Sequence, residues 1–345
     1  MKLGLFLGYG AKRVSVDMDL VKTAESLGFD SVWAAEAYGG DVISVASWIL
    51  AQTEKIKVGT SIMQIPARTP ACAAMTAMSL SQLSGGRFIC GLGASGPQVV
   101  EGWHGVAYRK PVTGTREYIE IMRNIMAREG RLAYDGDIYQ LPYTGPNATG
   151  LGKSLKSILE ATPDIPIYTA AITPAGLACA AEVADGVNPV WMNPERFDLF
   201  APSLEKGFAK VPGKSLADFD VAPGVVSIMA DDVDACRGPV KGVLALYIGG
   251  MGARGKNFYN DYVVSLGYED EARKIQDLYL DGNKEAAAAA VPDKLVDEVA
   301  LIGPRERIIE RAAAWKEAGR KNQVGTMMVT AGQPEVLALL ADIFN

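Results

Sequence analysis

Histidine is almost absent from this chain of 345 residues: there is one, His104. The four cysteines, Cys72, Cys90, Cys179 and Cys236, are far apart and show neither a C-x-x-C pair nor a zinc-ligand spacing. A single histidine excludes a His₂ or His₃ metal site, and a Ser-His-Asp triad would have to run through His104. No P-loop, H-E-x-x-H or G-x-S-x-G motif occurs. Basic runs are missing too, and 34 Lys+Arg against 40 Asp+Glu leave a net charge of −6, which argues against nucleic acid as a partner. No apolar stretch reaches the ~18 residues needed to span a bilayer. The opening run from Leu3 to Leu7 is too short for a secretory apolar region and has no small-residue cleavage site after it. The expectation is a cytoplasmic enzyme with free thiols and a small-molecule substrate, engaging neither nucleic acid nor membrane.

What is present is an alternation of short apolar runs with helical patterns. Strands are expected at 2–7, 31–35, 57–63, 88–92, 165–171, 186–191, 221–230 and 324–330. Helices are expected at 17–27, 42–52, 70–83, 116–126, 174–184, 194–208 and 334–344, several opening on a capping Thr followed by Pro. Eight strands alternating with helices predict parallel pairing with right-handed crossovers, and the count favours an α/β fold of the closed (β/α)₈ TIM-barrel type over an open sheet. The chain reads as one barrel domain over 1–345, with a loop-rich insertion at about 130–163 and a mostly helical segment at about 233–318.

In such barrels the site lies at the C-terminal ends of the strands. Those ends are Gly8-Tyr9-Gly10, Glu36-Ala37-Tyr38-Gly39, Ser61-Ile62-Met63, Gly93-Ala94-Ser95-Gly96, Ala170-Ala171-Ile172-Thr173 and Trp191-Met192. Gly91 to Gly96 fits G-x-G-x-x-G, but it follows the fourth strand, and the acids about 20 residues on, Glu117 and Glu120, fall inside a helix, so it is no Rossmann fingerprint. A bare-backbone loop against a flat ring or phosphate is one reading; a tight turn is the other. The Thr173-Pro174 start of a helix offers unpaired N–H groups suited to phosphate, though many helices begin this way without a ligand. Glu36, between Trp33 and Tyr38, is a candidate proton donor in an apolar mouth, or else one half of a rim salt bridge. Glu101 and His104 are further candidates, for local pairing or for catalysis.

Taken together, Ser31-Val32-Trp33-Ala34-Ala35-Glu36, Val58-Gly59-Thr60-Ser61-Ile62, Leu83-Ser84-Gly85-Gly86-Arg87-Phe88, Gly91 to Pro97 and Ala180 to Gly186 resemble the luciferase-like monooxygenase superfamily over most of the chain. The run Ser95 to Trp103 looks most like the branch that uses the deazaflavin coenzyme F420. The resemblance implies an F420-dependent oxidoreductase, usually dimeric, with FMN-dependent monooxygenation as the alternative chemistry. It implies a cis peptide at Ser61–Ile62, and coenzyme contacts from Ser61, Ile62, Gly93, Ala94, Ser95, Ala170, Ala171, Ile172 and Thr173. Catalytic roles then fall to Glu36 first, with Glu101 and His104 behind it. Tyr38, Trp103, Trp191 and Met192 are expected to line a substrate pocket. Arg68, Arg109 and Lys110 are candidates for the coenzyme's acidic tail. Glu36-Ala37 replaces the Asp-His pair of the family's sugar-phosphate dehydrogenases, and Leu5-Phe6-Leu7 and Ala94-Ser95 lack the acids of its methylene-tetrahydromethanopterin reductases. The substrate is therefore expected to be another small organic molecule. A barrel that binds coenzyme without turnover is the remaining alternative.

Overall fold

The structure is a computed structural model, and it describes residues 1–8 and 12–344. The expected strand end at Tyr9-Gly10 lies outside the described residues. The parallel strands β1 (Lys2–Phe6), β2 (Ser31–Ala34), β3 (Lys57–Thr60), β4 (Phe88–Gly93), β5 (Ile167–Thr169) and β6 (Gly186–Val187) follow one another around a curled sheet. β7 comes in two pieces, Asp220–Val221 and Gly224–Met229, and β8 is Thr326–Thr330. Leu3 of β1 lies opposite Met327 of β8, so the first and last strands are neighbours.

Pro223 explains both the break in β7 and the closure of the ring. Proline has no N–H to give a ladder, so the strand expected to run unbroken over 221–230 is interrupted there. Its first piece pairs with β6, Val221 opposite Val187, and its second pairs with β8, Gly224 opposite Met328. Bonds from Gly325 N to Val221 O (3.0 Å) and from Met328 N to Pro223 O (2.9 Å) join the two halves. The result is a (β/α)₈ barrel.

The helices that carry the outer layer include α1 (Met18–Ser26), α2 (Val42–Leu50), α3 (Pro70–Leu83), α4 (Pro111–Ala127) and α5 (Pro174–Val183). Four of these starts are capped by side chains the sequence offers, α4 being the exception: Asp17 accepts from Leu20 N, Asp41 from Ser44 N, Thr69 from Cys72 N and Thr173 from Gly176 N. The segment 233–318 is mostly helical and includes one buried parallel strand, Ala300–Gly303, beside the second piece of β7. One expectation needs correction. The stretch expected as one helix over 194–208 is a 3₁₀ turn, Phe197–Leu199, followed by the helix Ala201–Phe208. The insertion contains a two-rung hairpin, Tyr134–Asp135 with Gln140–Leu141. Glu117 on α4 holds its turn by accepting from Asp137 N (2.7 Å), Ile138 N (2.9 Å) and Tyr139 N (3.0 Å).

The lower half of the barrel is filled by two aromatic rings set against glycines. Trp33 and Tyr168 lie with ring centroids 5.4 Å apart. A Cβ on Gly59 would stand 2.3 Å from the Trp33 ring, and one on Gly186 would stand 2.4 Å from the Tyr168 ring. Only a bare Cα leaves room for each ring. Asp220 completes the floor, its Oδ2 accepting from Tyr168 OH (3.0 Å), Thr326 Oγ1 (2.6 Å) and Lys2 Nζ (3.1 Å). Burial, reinforced by the Asp220 charge, pushes the Tyr168 hydroxyl well above its ordinary pKa and keeps it a donor.

This packing sets a test. Gly59→Ala drives a methyl into the Trp33 ring and is expected to destabilise the fold by about 3 kcal/mol. Gly242→Ala, on an exposed helix face with no atom within 4 Å of the new Cβ, is the control. It is expected to add about 0.5–1 kcal/mol through helix propensity. Urea denaturation of both variants measures the difference, and equal stabilities would contradict this account of the floor.

Candidate functional site

The strand ends that face the mouth are organised by Glu36. Both of its oxygens are engaged twice. Oε1 accepts from Arg68 Nη1 (2.9 Å) and Gln64 N (3.2 Å), and Oε2 accepts from Arg68 Nη2 (3.0 Å) and Val42 N (3.0 Å). Its side chain is 8% exposed and that of Arg68 14%. Arg68 also pairs with Asp41, the cap of α2. Burial works against the guanidinium charge, but Glu36 and Asp41 outweigh it and raise the Arg68 pKa above its usual value. These contacts revise the expected role of Glu36. With four donors around its two oxygens, it is an anchor between β2, α2 and the approach to α3, and a proton on it would displace Arg68. Arg68 is equally committed, which removes it from the candidates for an acidic tail.

Beyond Thr60 the chain bulges. Val58 pairs with Phe88, an offset of 88 − 58 = 30, while Met63 pairs with Leu92, an offset of 92 − 63 = 29. One extra residue therefore sits on the third strand. The Ser61–Ile62 peptide within the bulge is cis, as the resemblance implies. Ile62 rests against buried Gly93, where a Cβ would come within 2.7 Å of its side chain. Ser61 and Ile62 are half-buried, so the bulge and the bare glycine make a flat apolar shelf at the rim.

Sequence reasoning missed Gln64. It is fully buried, and its amide Nε2 donates to Ala37 O while Oε1 lies 2.8 Å from His104 Nε2. The available signal was a lone amide in the apolar run Met63-Gln64-Ile65, where a buried polar side chain needs a partner. His104 reaches it from the loop after the short helix Pro97–Gly102, whose backbone turn is held by His104 N to Val99 O (3.1 Å). The structure thus brings Glu36 and His104 together through Gln64.

The other expected residues separate. Glu101 is exposed and accepts from Tyr108 N (3.2 Å), closing its own loop. Met192 is wholly buried in the hydrophobic core. Trp191 is buried within an aromatic cluster, its ring centroid 4.9 Å from that of Tyr247 and 5.7 Å from that of Tyr259. Tyr38 and Trp103 are exposed apolar surfaces. In the fourth-strand loop, Ser95 and not a glycine takes the left-handed conformation, at φ 61°. Ala94, Ser95, Ala171, Ile172 and Thr173 are half-buried and Ala170 is exposed, on the ends of the adjacent strands β4 and β5. Thr173 Oγ1 takes the Gly176 N–H (3.2 Å), Leu177 N bonds to Thr173 O (2.9 Å) and Pro174 has no N–H, so the Ala175 N–H is the one in the first turn of α5 left to a ligand.

A family model described as luciferase-like monooxygenase matches residues 1–322. A Mycobacterium tuberculosis protein, Rv3520c, provisionally named a coenzyme F420-dependent oxidoreductase, is 43% identical over 345 residues, covering 99% of this chain and 98% of that one. Among solved structures, the coenzyme F420-dependent tetrahydromethanopterin reductase of Methanopyrus kandleri superposes with a TM-score of 0.76 at 23% identity, covering 99% of this chain and 97% of that one. An F420-dependent secondary alcohol dehydrogenase, solved with an F420-acetone adduct, gives a TM-score of 0.73 at 19% identity over the same shares of the two chains. At such identities the two structures establish the fold.

The anchor reading of Glu36 has its own test. Glu36→Gln leaves Arg68 largely buried with only Asp41 as a charged partner, and is expected to cost about 3 kcal/mol of stability. Chemical denaturation measures it. Full stability with loss of turnover would instead mark Glu36 as a proton carrier.

Proposed function

The chain belongs to the luciferase-like monooxygenase family, and from that premise we propose that it is a coenzyme F420-dependent oxidoreductase moving a hydride between the deazaflavin and a small organic substrate. One observation carries the reading: the Ser61–Ile62 bulge lies on bare Gly93, between the α5 N-terminus on one side and the Gln64–His104 pair on the other. The mycobacterial relative at 43% identity supports the choice of coenzyme.

The residues present suit that coenzyme. A flat ring needs an apolar surface, which the half-buried Ile62 side chain packed over Gly93 offers beside Ser61 and Ala94. A phosphate needs unpaired N–H groups at a positive helix end; Ala170 N is given to Leu92 O, so the turn from Ala171 to Thr173 and Ala175 at the start of α5 are the segment suited to it. Arg109 is exposed and makes no ion pair among the described residues, whereas Lys110 is held by Asp137 at 2.7 Å. Arg109 is therefore the better cation for an acidic tail. When bound, the deazaflavin supplies the carbon that accepts or releases the hydride. The protein's part is to orient the ring, exclude water and manage the accompanying proton.

His104 takes that proton role. Glu36 is saturated by its four donors, and Glu101 is occupied at the surface, whereas only one nitrogen of His104 is bonded among the described residues. Tyr38 and Trp103 flank the substrate, and Trp191 supports its apolar wall from behind. We read residues 1–345 as one functional unit working in the cytoplasm, where Cys72, Cys90, Cys179 and Cys236 remain free thiols. No described helix is long and apolar enough to cross a membrane.

Equilibrium titration with F420 is expected to show saturable binding, and binding of FMN alone with oxygen consumption would favour the monooxygenase chemistry. His104→Asn is expected to keep coenzyme binding and lose about 100- to 10,000-fold in kcat. An unchanged kcat would remove His104 from the chemistry.

The oligomer we propose is a homodimer through the outer faces of α2 and α3. Trp48, Met75 and Leu83 stand there 60%, 59% and 85% exposed, a set of large apolar groups that a second copy would cover. Light scattering is expected to give twice the chain mass, falling to one chain in Trp48→Glu; a native monomer overturns it.

A further inference from the structure

We propose that Gln64 is a positioning residue that fixes the tautomer of His104, holding the neutral ring as Nε2–H and leaving Nδ1 as the proton acceptor. This rests on the reading of His104 as the proton partner in the mouth. The argument begins with the amide's own constraints. Gln64 is fully buried, its backbone N–H is committed to Glu36 Oε1 at 3.2 Å, and its Nε2 donates to Ala37 O. Turning the amide over would set Oε1 against the Ala37 carbonyl oxygen, two acceptors facing each other with no proton between them. The Ala37 carbonyl therefore decides the orientation and aims Oε1 at His104.

An amide oxygen only accepts. The 2.8 Å contact between Gln64 Oε1 and His104 Nε2 thus requires the hydrogen to be on Nε2. A neutral imidazole has one N–H, so Nδ1 carries the lone pair. No described residue hydrogen-bonds Nδ1. The backbone that carries the ring is held as well, since Trp103 N (2.9 Å) and His104 N (3.1 Å) both donate to Val99 O. The support behind Gln64 is stiff, because its backbone hangs on the same carboxylate that Arg68 grips with two bonds. A proton leaving a substrate hydroxyl or amine then has one acceptor on this ring, Nδ1, and passes back from the same atom in the reverse direction.

The chain's single histidine makes the test direct. Protein labelled with ¹⁵N-histidine, studied without coenzyme and at a pH above the ring's titration, gives the two nitrogens of one ring. The expected spectrum has a protonated-type Nε2 and an unprotonated-type Nδ1. In Gln64→Met both nitrogens are expected to move toward the averaged shifts of a free imidazole, with kcat falling more than KM rises. A native spectrum of the Nδ1–H or averaged type overturns the proposal, as does an unchanged pattern in Gln64→Met. The native spectrum alone decides should a variant fail to fold. Because no coenzyme is present, failure of this inference is distinct from failure to bind F420.

Discussion

The two-bond clasp of Arg68 on Glu36 is the interaction on which the mouth depends. It joins a residue just past β2 to one just before α3, and the remaining lone pairs of the same carboxylate hold Val42 at the start of α2 and Gln64 in the bulge. Bringing two charges out of water is costly, and the pair is favourable only because its geometry is bidentate and every further site on the carboxylate is filled. Asp41, held below its ordinary pKa against the effect of burial by Ser44 and Arg68, adds a second negative charge to the cluster while capping α2. Four separate stretches of chain thereby share one electrostatic centre, and the bulge cannot shift without disturbing all of them.

Beneath the clasp, the floor is made rigid by a different principle. Trp33 and Tyr168 take the volume that Gly59 and Gly186 give up, so the cross-section is filled by a few large rings instead of many medium side chains. Closer to the mouth the exchange reverses. Gly91 and Gly93 carry no side chain on β4, and a Cβ on Gly91 would lie 1.7 Å from Thr60 O. The third and fourth strands can approach closely there because nothing separates them. The same absence lets the bulge pack, because Thr60 O and the Ile62 side chain occupy the space beside Gly91 and Gly93.

Much of this was legible in the sequence where the signal is local. Thr69-Pro70 and Thr173-Pro174 announced their helices, and the period of apolar runs placed the first five strands. The eightfold alternation predicted the barrel. What was not legible depends on partners far along the chain. Glu36 in an apolar setting reads alike as catalyst or anchor until Arg68, 32 residues on, is seen beside it. Gln64 is unremarkable until Ala37 and His104 arrive at its two ends. Ala300–Gly303 is too short an apolar run to register as a strand directly after the helix Asp293–Val299, and only the free edge of β7 makes it one. Trp191 and Met192, adjacent in sequence, are both buried in the core, which their apolar character alone does not separate from a pocket wall.

The separation between platform and proton partner is the functional consequence. The shelf is built on strands, from Ile62 and Gly93, and is locked by ladder pairing and by the Glu36 cluster. His104 comes from a loop, and what it adds to the strands is one hydrogen bond to Gln64. Loops tolerate change that strands do not, because fewer buried contacts fix their path. A base placed directly after the second strand would put both functions on one rigid element. This chain has given that position to Glu36-Ala37, the first residue for structure and the second to orient an amide. On the proposed function the base comes from elsewhere, and Gln64 would give a loop histidine the fixed orientation a strand would otherwise have supplied.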